Sequence, residues 1–158
     1  MFGKLTEEQI EQVLHQQLVG RIGCNYDDVM YVLPISYAYD GSYIYCHSKE
    51  GMKIKIMRQN PRVCFQVDEM RDMGNWKSVI AWGTFEELGS GIARNEALHH
   101  LIKRELPIIS SETTHIVPYW PFIPDNLDEI KGITFRIKVE AKTGRFEKTD
   151  AVTVLPAY

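Results

Sequence analysis

Residues 34–69 of the chain, which decide the fold, read PISYAYDGSYIYCHSKEGMKIKIMRQNPRVCFQVDE. Within them Asp40-Gly41 separates two aromatic-rich runs, and this dipeptide is a strong signal for the turn of a β-hairpin. Residues 30–39 and Tyr43 to His47 are therefore predicted to be strands that pair antiparallel. Pro34 removes one backbone donor, so it predicts a sheet edge or a bulge in the first of these strands.

The residues after the hairpin predict a short helix and then another strand. The helix begins near Ser48 or Gly51 and stops at Asn60-Pro61, because proline does not continue a helix. Arg62 to Asp68 follows with apolar residues alternating along one face, which is the period of a half-buried strand. In an acidic chain, the segment between the two strands carries four basic side chains: Lys49, Lys53, Lys55 and Arg58.

The start of this helix has the chemistry of a phosphate-binding site. Free backbone N–H groups at a helix N-terminus, together with a hydroxyl and a lysine, suit a phosphate monoester. Ser48 and Lys53 supply that hydroxyl and that lysine. The alternative is a solvated amphipathic helix whose apolar side chains, Met52 and Ile56 among them, face the core. The residue pattern alone leaves both interpretations open.

Over its whole length, residues 34–69 included, the sequence predicts about six strands and three helices. Toward the N-terminus, Thr6 and Gln9 form a capping box that opens a helix ended by Gly20. The other predicted elements are strands over 21–25 and 76–88, a helix over 92–106 capped by Ser90, an irregular stretch over 107–129, and a strand from Ile133 to Ala141 that Thr143-Gly144 turns into a C-terminal tail. Few helices separate the strands, which favours a mainly β, antiparallel barrel with appended helices over parallel βαβ winding.

Composition and charge restrict the function classes. The chain has 158 residues, a net charge of −3 at pH 7 and an isoelectric point near 6.0, which argues against a general nucleic-acid binder. Three cysteines without a CxxC pair suit a reducing compartment better than a disulfide framework or a zinc site. A membrane span needs about 20 consecutive apolar residues, and no run in the sequence approaches that length. No signal peptide is predicted. We expect one domain over residues 1–158, in the cytoplasm, without nucleic-acid or membrane partners.

Motifs for catalysis by side chains alone are not found. HExxH, GxSxG and the Walker loop do not occur. His99 and His100 are adjacent on the predicted helix and about 100° apart, so they do not easily share one metal ion, and we predict no metal site. His47 and His115 are candidates for ligands or acids, although a lone histidine is more often structural. If the chain is an enzyme, a bound cofactor therefore carries the reactivity.

Three segments together resemble a known family. Residues 34–69, NWKSVIAWGTFEEL over 75–88 and ITFRIKVEAKTGR over 133–145 are similar to the FMN-binding split-barrel flavoproteins related to pyridoxamine 5'-phosphate oxidase, and most similar to their nitroimidazole-resistance (Nim-like) branch. The specific part of the resemblance is His-Ser followed by Gly-x-Lys and then by Asn-Pro-Arg-Val. The tail over 144–158, GRFEKTDAVTVLPAY, lacks the substrate signature with arginine and histidine of the true oxidases, so oxidation of vitamin B6 is not expected.

The resemblance implies a six-stranded antiparallel split β-barrel that forms a homodimer with FMN at the subunit interface. It implies that Ser48 and Lys53 hold the phosphate, with the Met52 amide nearby, and that Trp120 covers the ring. It makes His47 the best single candidate for a catalytic or substrate-contacting residue, or else for a residue that closes the strand end. The full set of implied cofactor contacts, those over 76–79 coming from the same subunit or its partner, is Leu33, Pro34, Ile35, Ser36, Tyr45, Cys46, His47, Ser48, Met52, Lys53, Trp76, Ser78, Val79 and Trp120.

These observations predict an FMN-dependent oxidoreductase that passes electrons from a reduced nicotinamide or another donor to a small acceptor, with nitroaromatic compounds among the candidates. Two alternatives from other classes remain open. One is a flavin-binding or flavin-sensing module without turnover, and the other is a haem-binding or haem-degrading split barrel. A deazaflavin in place of FMN is a nearer alternative that the sequence does not exclude.

Overall fold

An antiparallel sheet that closes on itself forms the body of the protein. The computed structural model describes residues 1–106 and 124–149. In chain order the elements are β1 (Phe2–Lys4), α1 (Glu7–Gln16), β2 (Val19–Tyr26), β3 (Val29–Tyr39), β4 (Tyr43–Ser48), α2 (Met52–Gln59), β5 (Arg62–Asp72), β6 (Asn75–Glu87), α3 (Ile92–Ile102), a 3-10 turn at Leu127–Glu129, and β7 (Ile133–Glu147). None of the helices in these ranges is long and apolar enough to cross a membrane.

Six of the strands form a closed ring. The hydrogen-bonded order is β7-β4-β3-β2-β5-β6, and a further pairing of β6 with β7 completes the circuit. The short strand β1 lies outside this ring and pairs only with the end of β7, Phe2 opposite Glu147. The predicted mainly β, antiparallel split barrel is therefore confirmed, with seven strands among the described residues rather than six. The seventh was missed because three residues are too few to show a period.

Two apolar clusters lie on opposite faces of the barrel wall. The main core fills the interior, and its largest fully buried side chains include Tyr37, Phe65 and Phe135. A smaller cluster lies outside the wall, where α3 covers β3 and β4 through residues such as Leu98 and Tyr45. Along β4, alternate residues therefore serve different cores, because successive side chains of a strand point to opposite faces.

The predicted capping box of α1 is confirmed, since the Thr6 hydroxyl accepts from the Gln9 amide and the Gln9 side chain accepts from the Thr6 amide. The predicted end of this helix at Gly20 is wrong. The helix stops at Gln16, and Gly20 lies inside β2 opposite Ile35. The residues after Gln16 therefore pair with β3 instead of continuing the helix. The helical spacing of the sequence alone could not reveal this pairing.

Two boundaries near the C-terminal half also differ from the prediction. The helix predicted over 92–106 ends at Ile102, and its N-cap is Gly91 rather than Ser90. The predicted turn at Thr143-Gly144 is a continuous part of β7, because β6 supplies partners for both residues, including Val79 opposite Gly144. Ladder hydrogen bonds to a neighbouring strand outweigh the local turn preference of these two residues.

The predicted hairpin at Asp40-Gly41 is confirmed, and its geometry depends on both residues. One oxygen of the Asp40 carboxylate accepts from the backbone N–H groups of Ser42 and Tyr43, at 2.8 and 2.7 Å. Gly41 has φ of +99°, a conformation that residues with a side chain adopt at a cost. The edge predicted at Pro34 is also confirmed, because among the described residues those at 29–36 of β3 pair with β2 alone.

We expect Gly41→Val to lower the melting temperature by roughly 2–8 °C, because a positive φ costs an L-residue about 1–2 kcal/mol. The space around Gly41 is open, with no atom within 4 Å of the position that a Cβ would occupy, so the loss reports backbone strain alone. Gly89→Val is the matched control, since Gly89 is equally open and its φ is not positive. Equal melting temperatures for the two variants in a calorimetric scan would contradict the turn geometry.

Candidate functional site

The barrel wall opens where β3 and β4 separate. Their last paired residues are Tyr37 and Cys46, after which β3 continues along β2 while β4 continues along β7. Tyr37 and Cys46 both face the interior, so the next residues, Ser36 and His47, face outward by strand alternation. We call the opening between Ser36 and His47 the fork. It lies where the sequence predicted that the two strands would contact a cofactor.

Arg104 lies in the fork and was not predicted from the sequence. Its guanidinium donates to the Ser36 hydroxyl and to the Tyr37 carbonyl, and its Nε donates to the Leu101 carbonyl at 2.9 Å. Burial lowers the pKa of this guanidinium, which nevertheless remains charged at neutral pH. No local signal marks this residue, because its partners Ser36 and Tyr37 are 68 and 67 positions away in the chain.

The helix that follows β4 presents an uncapped N-terminus. Its N-cap is Gly51, which makes no side-chain capping hydrogen bond, so the first N–H groups of α2 keep no intrahelical acceptor. Met52 is 57% exposed rather than facing the core. Glu50, the acidic residue next to this end, binds Arg58 through both of its carboxylate oxygens. The N-terminus of α2 therefore has positive character that this carboxylate does not cancel.

Lys53 adds a charge to this end of the helix. Its side chain is half-buried, and within residues 1–106 and 124–149 it forms no hydrogen bond or ion pair. Burial lowers its pKa from the usual 10.5, because the charged form loses part of its hydration. Ser48 lies at the start of the same connection and donates to the Lys49 carbonyl at 2.8 Å, so its hydroxyl must leave that partner to donate elsewhere.

His47 is held by the segment that leads into β7. Its Nε2 lies 2.6 Å from the Lys131 carbonyl oxygen. Burial lowers its pKa from 6.5, and the positive charges of Arg94 and Arg104 act in the same direction, whereas the bond to Lys131 opposes them. The imidazole is therefore neutral at pH 7. Across the strand pair lies Thr134, whose buried hydroxyl has no hydrogen-bond partner in the described part of the chain.

The other predicted residues of β3 and β4 divide between the two faces of the wall. Leu33 and Ile35 pack against the main core, whereas Pro34 is exposed on the outside. Tyr45 belongs to the outer cluster, where its hydroxyl donates to Asp40 at 2.6 Å. Cys46 is fully buried, and burial raises the pKa of its thiol to about 12, so it does not serve as a thiolate nucleophile.

The three predicted residues of β6 lie away from the fork of their own chain. On one side β2 and β5 separate β6 from β3, and on the other these residues pair with residues 144–147 of β7, far along that strand from Thr134, the partner of His47. Trp76 donates from its indole to Glu147 at 3.1 Å, and Ser78 accepts from the Gln66 side chain. Val79 is fully buried in the main core. A ligand at the fork could contact these residues only if a second copy of the chain supplied them. Trp120 and His115 lie outside the described residues.

Comparison with known proteins identifies the family. The model of the pyridoxamine 5'-phosphate oxidase family matches residues 6–146. The chain belongs to the pyridoxamine 5'-phosphate oxidase family. An uncharacterised protein of Rhizobium meliloti is 35% identical over 96 residues, which make up 61% of this chain and 61% of that relative. The matched part therefore spans less than two thirds of the relative's length.

Solved structures of other proteins share the fold. An FAD-binding protein from Mesorhizobium loti has a TM-score of 0.72 and 33% identity, with 94% of this chain and 99% of that chain covered. A protein described as a candidate 5-nitroimidazole resistance protein from Bacteroides thetaiotaomicron has a TM-score of 0.68 and 17% identity, with 92% and 87% covered. The second similarity concerns the fold alone.

This member of the pyridoxamine 5'-phosphate oxidase family brings basic and hydrogen-bonding groups to the fork rather than a metal centre. Within the two described ranges, no group of three or more His, Cys, Asp or Glu side chains is placed to hold a metal ion. The groups around the fork and the β4–α2 junction are instead Ser36, His47, Ser48, Lys53 and Arg104. This set has one neutral imidazole and two cations, which suits an anionic or hydrogen-bonding organic ligand.

We expect the stability of the wild-type protein to fall more than that of His47→Gln when the pH is lowered from about 7.5 to about 5.5. The folded state lowers the pKa of His47, so in this range the unfolded chain binds the proton more readily and acid favours unfolding. Melting temperatures of both proteins across the range measure the difference. Parallel curves would contradict a lowered pKa at His47.

Proposed function

We propose that this chain is a flavin-binding oxidoreductase, that FMN is its cofactor, and that it reduces a small organic acceptor, with nitroaromatic compounds as the first class to test. The observation that carries this proposal is the uncapped N-terminus of α2 with the half-buried ammonium of Lys53 beside it, which has no partner among the described residues. These groups lie next to the fork. There the edges of β3 and β4 and the guanidinium of Arg104 present polar atoms beside the apolar cluster outside the barrel wall.

The groups present fit a flavin phosphate. Exposed N–H groups at a helix N-terminus bind phosphate oxygens, and a lysine nearby neutralises part of the charge. FMN carries a terminal phosphate and FAD carries a bridging diphosphate, and the Mesorhizobium loti relative that is 33% identical is an FAD-binding protein. That relative supports a flavin, and it makes FAD the cofactor to compare with FMN in every binding measurement.

The bound flavin would supply the hydride and electron transfer. Among the described residues of the fork, no side chain is arranged for nucleophilic catalysis. Cys46 stays a neutral thiol, and His47 stays a neutral imidazole at pH 7. The roles left for the protein are to bind the phosphate at α2, to orient the ligand with polar groups at the fork, and to add positive charge through Arg104. The chain need not supply an obligatory base.

We expect Lys53→Ala to weaken FMN binding by about 1.5–3 kcal/mol, roughly 10- to 150-fold in Kd, which is the scale of a hydrogen bond to a charged group. Binding of riboflavin, which lacks the phosphate, should change little. Flavin fluorescence titrations of the wild type and the variant measure both affinities. Lys55→Ala is the matched control, because Lys55 is an exposed lysine on the same helix.

The same titrations distinguish the alternatives. Unchanged FMN affinity in Lys53→Ala would place the phosphate elsewhere. Wild-type protein that binds FAD at least about tenfold more tightly than FMN would make FAD the cofactor. Protein that binds no flavin but gives an intense Soret band with haem, or that binds only a deazaflavin, would overturn the FMN assignment. Flavin binding without oxidation of reduced nicotinamide, with nitroaromatic compounds and quinones as acceptors, would favour a binding module.

We further propose that the protein is a homodimer and that the outer face of β2, β3, β5 and β6 forms the interface. One cross-strand row on this face joins Val32, Gly23, Cys64 and Trp82 in register. Val32 is 68% exposed and Trp82 is 39% exposed, so apolar surface that would favour burial faces solvent. The row adjoins Pro34 on the β3 side of the fork, and this adjacency supports a cofactor site at the edge of the proposed interface.

We expect Val32→Glu to weaken dimerisation at least about tenfold, because association would bury an unpaired carboxylate. Ile92→Glu is the control, since Ile92 is also an exposed apolar residue, 79% exposed, but lies at the start of α3. Sedimentation velocity over a concentration series measures the three proteins. Wild-type protein that sediments as a monomer, or a Val32→Glu dimer as stable as wild type, would contradict the interface.

We also propose a cytoplasmic location. All three cysteines are free thiols, and Cys24 and Cys46 are buried. Such thiols persist in a reducing compartment, where neither disulfide exchange nor oxidation removes them.

A further inference from the structure

The hydrogen bond between His47 and Lys131 fixes which ring nitrogen carries the proton. A backbone carbonyl oxygen only accepts hydrogen bonds, so the Nε2 atom that lies 2.6 Å from it must be the N–H donor. In a neutral imidazole the other nitrogen, Nδ1, is then unprotonated and can only accept. Within residues 1–106 and 124–149, no hydrogen bond to this nitrogen is formed.

The main chain holds the ring in this arrangement. Gly132 has φ of +98°, and a Cβ atom there would lie 2.9 Å from Nε2 of His47, so the backbone approaches the ring as only glycine allows. The same segment is bound by Arg94, whose guanidinium donates to the carbonyls of Leu127 and Ile130. Arg94 is 7% exposed, which makes these bonds a buried anchor. Rotation of the imidazole to present Nε2 elsewhere would break the Lys131 bond and leave its carbonyl without this donor.

The charges around the ring are positive. Arg94 on α3 and Arg104 beyond its end both lower the pKa of His47. A neutral acceptor nitrogen beside two cations does not readily take up a proton. Cross-strand from His47, the buried hydroxyl of Thr134 likewise has no hydrogen-bond partner among residues 1–106 and 124–149.

We propose that His47 is a specificity-determining residue that accepts a hydrogen bond from the ligand through Nδ1 and does not donate a proton. The ligand group that it recognises is therefore an N–H or O–H donor. The identity of the ligand as a flavin rests on the proposed function above, and an oxidised flavin offers such donors as its ring imide N–H and its ribityl hydroxyls. The state of the imidazole itself does not depend on that proposal.

The first test uses the protein without any ligand. Nitrogen-15 NMR of histidine-labelled protein should show His47 with a protonated Nε2 and an unprotonated Nδ1 at pH 7 and above. His47→Gln identifies the signal by its disappearance. An Nδ1–H tautomer or an imidazolium at pH 7 would overturn the inference, whether or not the protein binds a flavin.

The second test separates the two nitrogens by substitution. Glutamine can keep the donor at the position of Nε2 but places no acceptor near Nδ1, whereas asparagine can place an acceptor near Nδ1 but does not reach Lys131. We expect His47→Gln to keep the wild-type melting temperature and to raise the Kd for riboflavin at least about tenfold. His47→Asn should melt lower and bind riboflavin within about threefold of wild type. If the riboflavin affinity fell only where the melting temperature fell, in both variants, His47 would have a structural role only and the inference would be overturned.

Two flavin analogues then locate the donor. If the wild-type protein binds N3-methylriboflavin as weakly as His47→Gln binds riboflavin, the donor is the ring imide. If it binds lumiflavin, which lacks the ribityl chain, that weakly, the donor is a ribityl hydroxyl. If the wild-type protein bound both analogues as tightly as riboflavin, recognition of a donor by His47 would be overturned. If the wild type binds none of these flavins, the proposed function fails, and the NMR result still decides the state of His47.

Discussion

The length of β7 is the constraint on which the rest of the structure depends. This strand pairs with β4 through its first half and with β6 along most of its length, so it closes the barrel by holding two neighbours at once. Because β4 keeps β7 as a partner beyond Cys46, it can leave β3 without exposing both of its edges. The fork is therefore a stable opening in a closed wall.

The position of the fork determines which residues meet there. The end of β4 leads directly into α2, so the uncapped helix N-terminus and Lys53 lie beside one branch of the fork. The end of α3 covers the outside of β3 and brings Arg104 to the other branch. The chain has a net charge of −3, yet the charges at this opening are positive. The buried thiol of Cys46 at the same place stays neutral, which leaves binding and orientation as the tasks of the protein.

The elements with a local cause could be predicted from the sequence. The Asp40-Gly41 turn specifies itself through a carboxylate and a positive φ, and the capping box of α1 is formed by residues three positions apart. The β4–α2 junction was found for the same reason, because the strand, the small residues and Lys53 are contiguous. The resemblance to flavoproteins of this fold then indicated the right family from the sequence alone.

The features that depend on distant residues could not be predicted in this way. Arg104 reaches the fork from a position 68 residues beyond Ser36, and Lys131 fixes the tautomer of His47 from 84 residues away. The continuation of β7 through Thr143-Gly144 likewise follows from the length of β6 and not from the local residues. In each case a tertiary contact decides the outcome, and a single sequence contains no local pattern that reports it.

The most direct measurement of flavin binding at the fork is the visible absorption spectrum of the purified protein after incubation with FMN and removal of the excess by gel filtration. We predict the two bands of a bound oxidised flavin, at about one FMN per chain. A colourless protein after this treatment, with FMN recovered entirely in the free fraction, would contradict the cofactor site at the fork and the β4–α2 junction.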